Sequence, residues 1–86
     1  MPTISHFYGI AIRMFFDDHS FPHFHARDAE GAAKVRIDNL EVLANSLGRR
    51  QLRLVLAWAE IHQGELADNW RRARAHETLK AIDPLP

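Results

Sequence analysis

RRQLRLVLAWAEIHQGELADNWRRAR, residues 49–74, is the stretch that decides the fold class. Its apolar side chains recur at spacings of three, four or seven residues, the period of an amphipathic helix with one face toward a core. These residues are Leu52, Val55, Leu56, Ala59, Leu66, Trp70 and Ala73. Gly64 interrupts the pattern, and we interpret it as the point where a first helix, ending near His62, gives way to a second. The stretch therefore predicts two helices within residues 49–75.

Upstream of these helices the apolar pattern changes to a period of two, which is typical of strands. Phe7 to Phe16 alternates and is predicted to form one strand. Pro22 suits the entry to a second strand at His23 to Arg27, because proline lacks an N–H. Ala32 to Asp38 forms a third strand, and Leu40 to Leu43 returns as a short fourth. The core face of the first strand carries Tyr8, Ile10, Ile12, Met14 and Phe16.

Strands followed by helices predict an α+β protein, in which two helices pack on one face of a small antiparallel sheet of three to four strands. The strands fall within about residues 4–43 and the helices within about 49–75, and a tail covers residues 76–86. An 86-residue chain that is 47% hydrophobic is expected to form a single domain, residues 1–86. The tail contains Leu79, Ile82 and Leu85, and it either docks on the domain or is ordered by a partner.

Composition narrows the class of protein. The chain has no cysteine, which excludes disulfides, thiolate zinc sites and cysteine nucleophiles. Its 11 basic and 11 acidic residues cancel, which argues against nucleic-acid binding driven by overall charge. No basic region precedes the first apolar stretch, and Arg13 interrupts that stretch. We therefore expect neither a signal peptide nor a membrane span, and we predict a cytoplasmic protein.

The segment DDHSFPHFHA, residues 17–26, holds three of the six histidines and two adjacent aspartates. If Phe24 and Ala26 face the core, then His23, His25 and Arg27 face outward, because strand side chains alternate. The same rule sends three further cations outward from the neighbouring strands. These are Arg13, Lys34 and Arg36.

Three interpretations of this outward face remain open from the residues alone. In the first, His23 and His25 ligate zinc or another divalent metal, because side chains at i and i+2 of one strand can converge on one ion. His19 or Asp18 from the preceding turn would complete the ligand set. The surrounding cations oppose this interpretation.

In the second interpretation the face binds phosphate or RNA and acts as a metal-independent, ribonuclease-like hydrolase. His23 or His25 would be the general acid or base, with His19 or Asp18 as its orienting partner. The cations that would stabilise the phosphate are Arg13, Arg27 and Arg36.

In the third interpretation the aspartates and His19 form turn hydrogen bonds, and the face or an exposed sheet edge is a protein-binding surface. A second arginine cluster supports binding, because Arg49, Arg50 and Arg53 gather at a predicted helix start. Cations are unfavourable there for the helix dipole, which invites an acidic partner or a phosphate. An exposed edge strand would also suit a homodimer.

The segments MPTISHFYGIAIRMFFDDHSFPHFHA, RRQLRLVLAWAEIHQGELADNWRRAR and LKAIDPL together resemble the small bacterial family catalogued as domain of unknown function 4160. By this resemblance Asp18, His19, Pro22, His23 and His25 occupy the family's signature positions. Members are frequently encoded beside a small protein of the family catalogued as domain of unknown function 2442, an arrangement similar to a toxin-antitoxin pair. The resemblance implies a partner-binding component of a two-protein module, and this is our leading hypothesis.

Overall fold

The computed structural model describes residues 2–16 and 20–86. Five strands precede two helices in this part of the chain. The strands are β1 (Thr3–Phe7), β2 (Ile10–Arg13), β3 (His23–Arg27), β4 (Ala32–Arg36) and β5 (Val42–Asn45), and the helices are α1 (Arg49–Ile61) and α2 (Gln63–Arg74). The α+β class is confirmed.

The strands form one antiparallel sheet in the order β1-β2-β3-β4-β5. The prediction of three to four strands was too low, because the single strand expected from Phe7 to Phe16 is a hairpin. Phe7 pairs with Ile10, and the two residues between them have left-handed φ angles, 49° at Tyr8 and 77° at Gly9. Positive φ at both central residues is the geometry of the two-residue turn that matches strand twist. Tyr8 therefore lies at the tip of the turn, 55% exposed, rather than in the core.

The last strand lies two residues later than predicted. Leu40 has a φ of 58° and belongs to the connection after β4, so pairing resumes only at Val42. Within β4 and β5 the register is irregular between Lys34 and Val35, which is the mark of a bulge.

Helix α1 packs on the inner face of the sheet, the side toward which every second strand residue points. Ile12 pairs with Ala26, and Phe24 pairs with Val35, so these four side chains share that face and all are fully buried. Trp58 of α1 packs its ring 5.9 Å from that of Phe24. The predicted break near Gly64 is confirmed, because α1 ends at Ile61 and α2 begins at Gln63.

The C-terminal tail docks on the domain, the first of the two alternatives left open by the sequence. The Ile82 N–H donates to the Ile4 carbonyl at 2.8 Å, which places the tail along the outer edge of β1. Trp58 Nε1 donates to the Asp83 carbonyl at 2.8 Å, and the Tyr8 hydroxyl donates to the Pro86 carbonyl at 2.9 Å. The side chain of Ile82 is buried in the core.

Candidate functional site: the histidine face of the sheet

The outer side of the sheet carries the histidines and cations that the sequence placed together. We call this surface the histidine face, defined as Arg13, His23, His25, Arg27, Lys34 and Arg36. Arg13 pairs with His25 across β2 and β3, and His25 pairs with Lys34 across β3 and β4. Directly paired residues of antiparallel strands share one face, with Cβ atoms about 5 Å apart. The shared outward direction is therefore confirmed, and His25 lies between two cations.

His23 departs from the expected accessibility. It pairs with Arg36 on the outer side, yet it is only 1% exposed. Its ring centroid lies 5.2 Å from that of Trp70 in α2 and 5.1 Å from that of His25. Its Nδ1 atom lies 2.9 Å from the Phe21 carbonyl, within hydrogen-bonding distance. His23 is therefore a packed residue of the face, and His25, which is half-buried, is the more accessible of the two.

Two phenylalanines from the β2–β3 connection cover part of the face. The Phe15 ring meets the His25 ring edge-on, with centroids 4.5 Å apart, and the Phe21 ring lies 5.6 Å from that of His23. Lys34 Nζ lies 5.5 Å and the Arg36 guanidinium 4.8 Å from the centre of the Phe21 ring. Both separations suit cation–π attraction. The face is thus aromatic as well as cationic.

The cations of the histidine face differ in whether a carboxylate is paired with them. Arg36 Nε lies 2.6 Å from an Asp38 carboxylate oxygen, and this hydrogen bond holds the pKa of Asp38 below its ordinary value and raises that of Arg36. By contrast, Arg13, Arg27 and Lys34 form no ion pair with any described residue. Among the described residues, three cations of the face therefore have no carboxylate partner, whereas Arg36 has one.

The remaining predicted groups of the turn, Asp18 and His19, lie outside the described residues. Among residues 2–16 and 20–86 no group of three or more histidine or carboxylate side chains is placed to hold a metal ion. The metal interpretation used His23 and His25 together with His19 or Asp18, so it stays a prediction.

The arginines at the start of α1 do not join the histidine face. Arg49, Arg50 and Arg53 are exposed on α1, which packs against the opposite side of the sheet through Trp58. The Arg50 guanidinium lies 5.9 Å from the centre of the Tyr8 ring at the tip of the β1–β2 turn. The two arginine groups are therefore separate surfaces.

An apolar groove of about 390 Å³ borders the histidine face and was not predicted. Its lining residues are Pro22, Ile37, Asp38, Gln63, Gly64, Ala67 and Trp70. Within this lining, Gln63 Nε2 donates to the carbonyls of Ile37 (2.7 Å) and Asp38 (3.0 Å). No local sequence pattern signals the groove, because it joins three segments that are distant along the chain.

Fold and face together define a small α+β protein with a cationic, aromatic and histidine-bearing sheet surface. Residues 9–71 match the model of the family described as Domain of unknown function (DUF4160), and the chain belongs to that family. The resemblance read from the sequence is thus confirmed. Neither a curated protein nor a solved structure was found to match the chain. Within the described part, no helix has the length and apolarity needed to cross a membrane.

Proposed function

We propose that this protein acts by binding an acidic protein partner through the histidine face, as one component of a toxin-antitoxin-like two-protein module. The main support for this proposal is a set of three cations that form no ion pair with any described carboxylate: Arg13, Arg27 and Lys34. The half-buried rings of Phe15 and Phe21 lie beside them. Arginine and aromatic side chains are the residue types that dominate protein interfaces.

The proposed partner is the co-encoded small protein that resembles domain of unknown function 2442, and the proposed compartment is the cytoplasm. Complementary charge would steer the encounter, and burial of the aromatic rings would hold the complex. Carboxylates of the partner would supply the counter-charge that the described residues do not. The complex should therefore weaken as the salt concentration rises.

The test is calorimetric titration of the partner into the wild-type protein and into Arg27→Glu/Lys34→Glu. This variant reverses two cations of the face that form no ion pair with any residue the structure describes. We expect its dissociation constant to rise at least about tenfold, equivalent to about 1.4 kcal/mol. Arg74→Glu reverses an exposed cation that is not among the six residues of the face; it is the control and should leave the affinity within about twofold. Absence of any complex, or equal affinities for all three proteins, would overturn the proposal.

A second candidate function rests on the position of His25 between Arg13 and Lys34. In a metal-independent ribonuclease mechanism, His25 would take the proton of an RNA 2′-hydroxyl as that oxygen attacks the phosphorus. The bond to the 5′ oxygen then breaks, that oxygen takes a proton from water, and the imidazolium of His25 returns its proton to the solvent, while the two cations stabilise the charge that develops on the phosphoryl oxygens. His23 would orient His25, because its burial keeps it from the substrate.

Cleavage of a fluorescent oligoribonucleotide by wild-type protein, by His25→Gln and by His6→Gln separates the two functions. His6 is an exposed histidine of β1 and serves as the control. The hydrolase candidate predicts a loss of at least about 100-fold for His25→Gln alone. A wild-type protein that leaves the RNA intact excludes it.

A further inference from the structure

The outward side of α1 is unusual in the order of its charges. Its exposed residues are Arg49, Arg50, Arg53, Ala57, Glu60 and Ile61. The first turns are basic and the last turn is acidic, and the helix has no acidic residue in its first turn and no basic residue in its last. Cations at a helix N-terminus and anions at its C-terminus oppose the helix dipole. The charges of α1 therefore do not stabilise the helix that carries them.

Helix α2 of the same chain follows the opposite rule. Its first turn contains Glu65, and its last turn contains Arg71, Arg72 and Arg74. Asp68 is ion-paired to Arg72 at 2.8 Å within that helix. On α1, no described residue forms an ion pair with Arg50, Arg53 or Glu60. The two helices of one protein thus differ: α2 has its counter-charges within the helix, and the exposed charges of α1 have none among the described residues.

We propose that α1 packs antiparallel against α1 of a second copy of this chain, so that Arg53 of each copy faces Glu60 of the other. Positions 53 and 60 are equally far from the midpoint between residues 56 and 57, and a two-fold axis at that point brings them opposite each other. The rise of about 1.5 Å per residue separates the two symmetric ion pairs by about 10 Å along the helix. Antiparallel packing also opposes the two helix dipoles.

The side chains between these ion pairs suit close contact. Ala57 is exposed and lies beside the proposed axis, and its small side chain permits an interaxial distance near the lower end of about 8–10 Å. Ile61 is 65% exposed, an unusual position for a large apolar residue. In the antiparallel pair it lies near the second copy's Arg53, whose methylene groups would cover it. Apolar burial at Ile61 and Ala57 would thus accompany the ion pairs.

The charge order selects a second copy over other occupants. A surface that is basic at one end and acidic at the other is complementary to itself only when reversed, and a two-fold axis supplies that reversal. Pairing of the open β5 edges is the alternative route to a dimer. That strand is four residues long and has an irregular register with β4, so it offers little regular backbone for pairing.

The test is sedimentation equilibrium on the full chain. Two variants reverse one charge each, Arg53→Glu and Glu60→Arg. Both changes favour the helix dipole, so both proteins should fold. Each single variant turns two symmetric attractions into two repulsions, and we expect its dimer dissociation constant to rise about 30-fold, equivalent to about 2 kcal/mol. Arg74→Glu is the matched control and should dimerise like the wild type.

An equimolar mixture of the two variants is the decisive sample. In a mixed dimer the two substituted side chains, which carry opposite charges, face each other at one symmetric position. At the other position the unchanged Glu60 of one copy faces the unchanged Arg53 of its partner. Both positions are then attractive, so the mixture should form a dimer with affinity close to that of the wild type.

Two results would overturn the proposal. One is a wild-type protein that is monomeric up to about 1 mM. The other is a dimer that Arg53→Glu leaves intact, which is the result expected of β5 pairing. Partner binding by the histidine face uses the other side of the sheet, so either proposal can fail without the other.

Discussion

Substitution of Asn69 by alanine should release the C-terminal tail from the domain. Asn69 lies on α2 and is 1% exposed. Its amide bonds both backbone groups of Lys80: Nδ2 donates to the Lys80 carbonyl at 2.8 Å, and Oδ1 accepts from the Lys80 N–H at 2.8 Å. One buried side chain thus pairs with the tail as a neighbouring strand would. Ile82 follows two residues later and donates to Ile4 of β1.

The expected magnitude follows from these contacts. Two hydrogen bonds at about 1 kcal/mol each, plus a cost for the vacated space in the core, lower the free energy of unfolding by about 2–3 kcal/mol. If the tail detaches instead, water forms hydrogen bonds to the Lys80 backbone groups, but the buried side chain of Ile82 becomes exposed. The free energy of unfolding then falls by a similar amount. Denaturant unfolding followed by tryptophan fluorescence measures the change, and hydrogen exchange at the Ile82 amide reports the tail directly.

Asn39→Ala is the matched control for this measurement. Asn39 Oδ1 accepts one hydrogen bond from the Glu41 N–H at 2.9 Å, but the residue is exposed, so its loss should cost less than about 1 kcal/mol. The reasoning is refuted if Asn69→Ala costs no more than the control. It is also refuted if the Ile82 amide remains as protected in the variant as in the wild-type protein.

Three further outcomes are expected. Gly9→Ala should lower the melting temperature, because φ is 77° there and a left-handed alanine costs about 1 kcal/mol. Gly64→Ala should raise the free energy of unfolding by about 0.5 kcal/mol, because an added Cβ would meet no atom within 4 Å and φ is not left-handed. Asp68→Asn should make the free energy of unfolding fall less steeply as the pH is lowered. Hydrogen bonds from Arg72 and Arg71 lower the pKa of Asp68 in the folded state. The contribution of Asp68 to the free energy of unfolding is therefore present above its unfolded-state pKa and is lost as the pH falls through its folded-state pKa. Urea unfolding at several values from about pH 5 to pH 2 would detect the change. If the metal interpretation is right, zinc raises the melting temperature of the wild-type protein but not of His23→Ala/His25→Ala, and an unchanged wild-type melting curve at saturating zinc would exclude it.

The helical half of the fold was predictable because its signals are local. Val55 and Ala59 lie on one side of α1, as their spacing requires, and both are fully buried. Gly64 was informative as an interruption of that spacing. The structure places the break at His62, as predicted, and the His62 backbone N–H still bonds to the Trp58 carbonyl.

The first hairpin was missed because alternation continues through it. In the sequence Tyr8 continues the spacing of Ile10 and Ile12, so residues 7 to 16 look like one uninterrupted strand. In the structure Tyr8 lies in the turn, and Phe7 shares a face with its cross-strand partner Ile10 instead. The usual signal of such a turn is asparagine or aspartate followed by glycine. Here Tyr8 takes the left-handed position, and a tyrosine does not signal it.

The composition of the histidine face was predictable, but its accessibility was not. Alternation along β3 fixes the sides taken by Phe24 and His25 from five residues of sequence. The burial of His23 depends on Trp70, which is 47 positions away in sequence, and on Phe21 in the preceding connection. Contacts between elements of that separation leave no periodic trace in the sequence.

The family match covers some elements of the fold and leaves others outside it. Residues 9–71 contain β2 to β5, α1 and most of α2, and thus the whole histidine face and the outward side of α1. The parts beyond the match, β1 and the tail, bond to each other from Ile4 to Ile82 and from Tyr8 to Pro86. Because that pairing occupies the outer edge of β1, it removes one sheet edge as a docking position. Both proposed contacts therefore fall on surfaces built by the matched region, the cationic side of the sheet and the exposed side of α1.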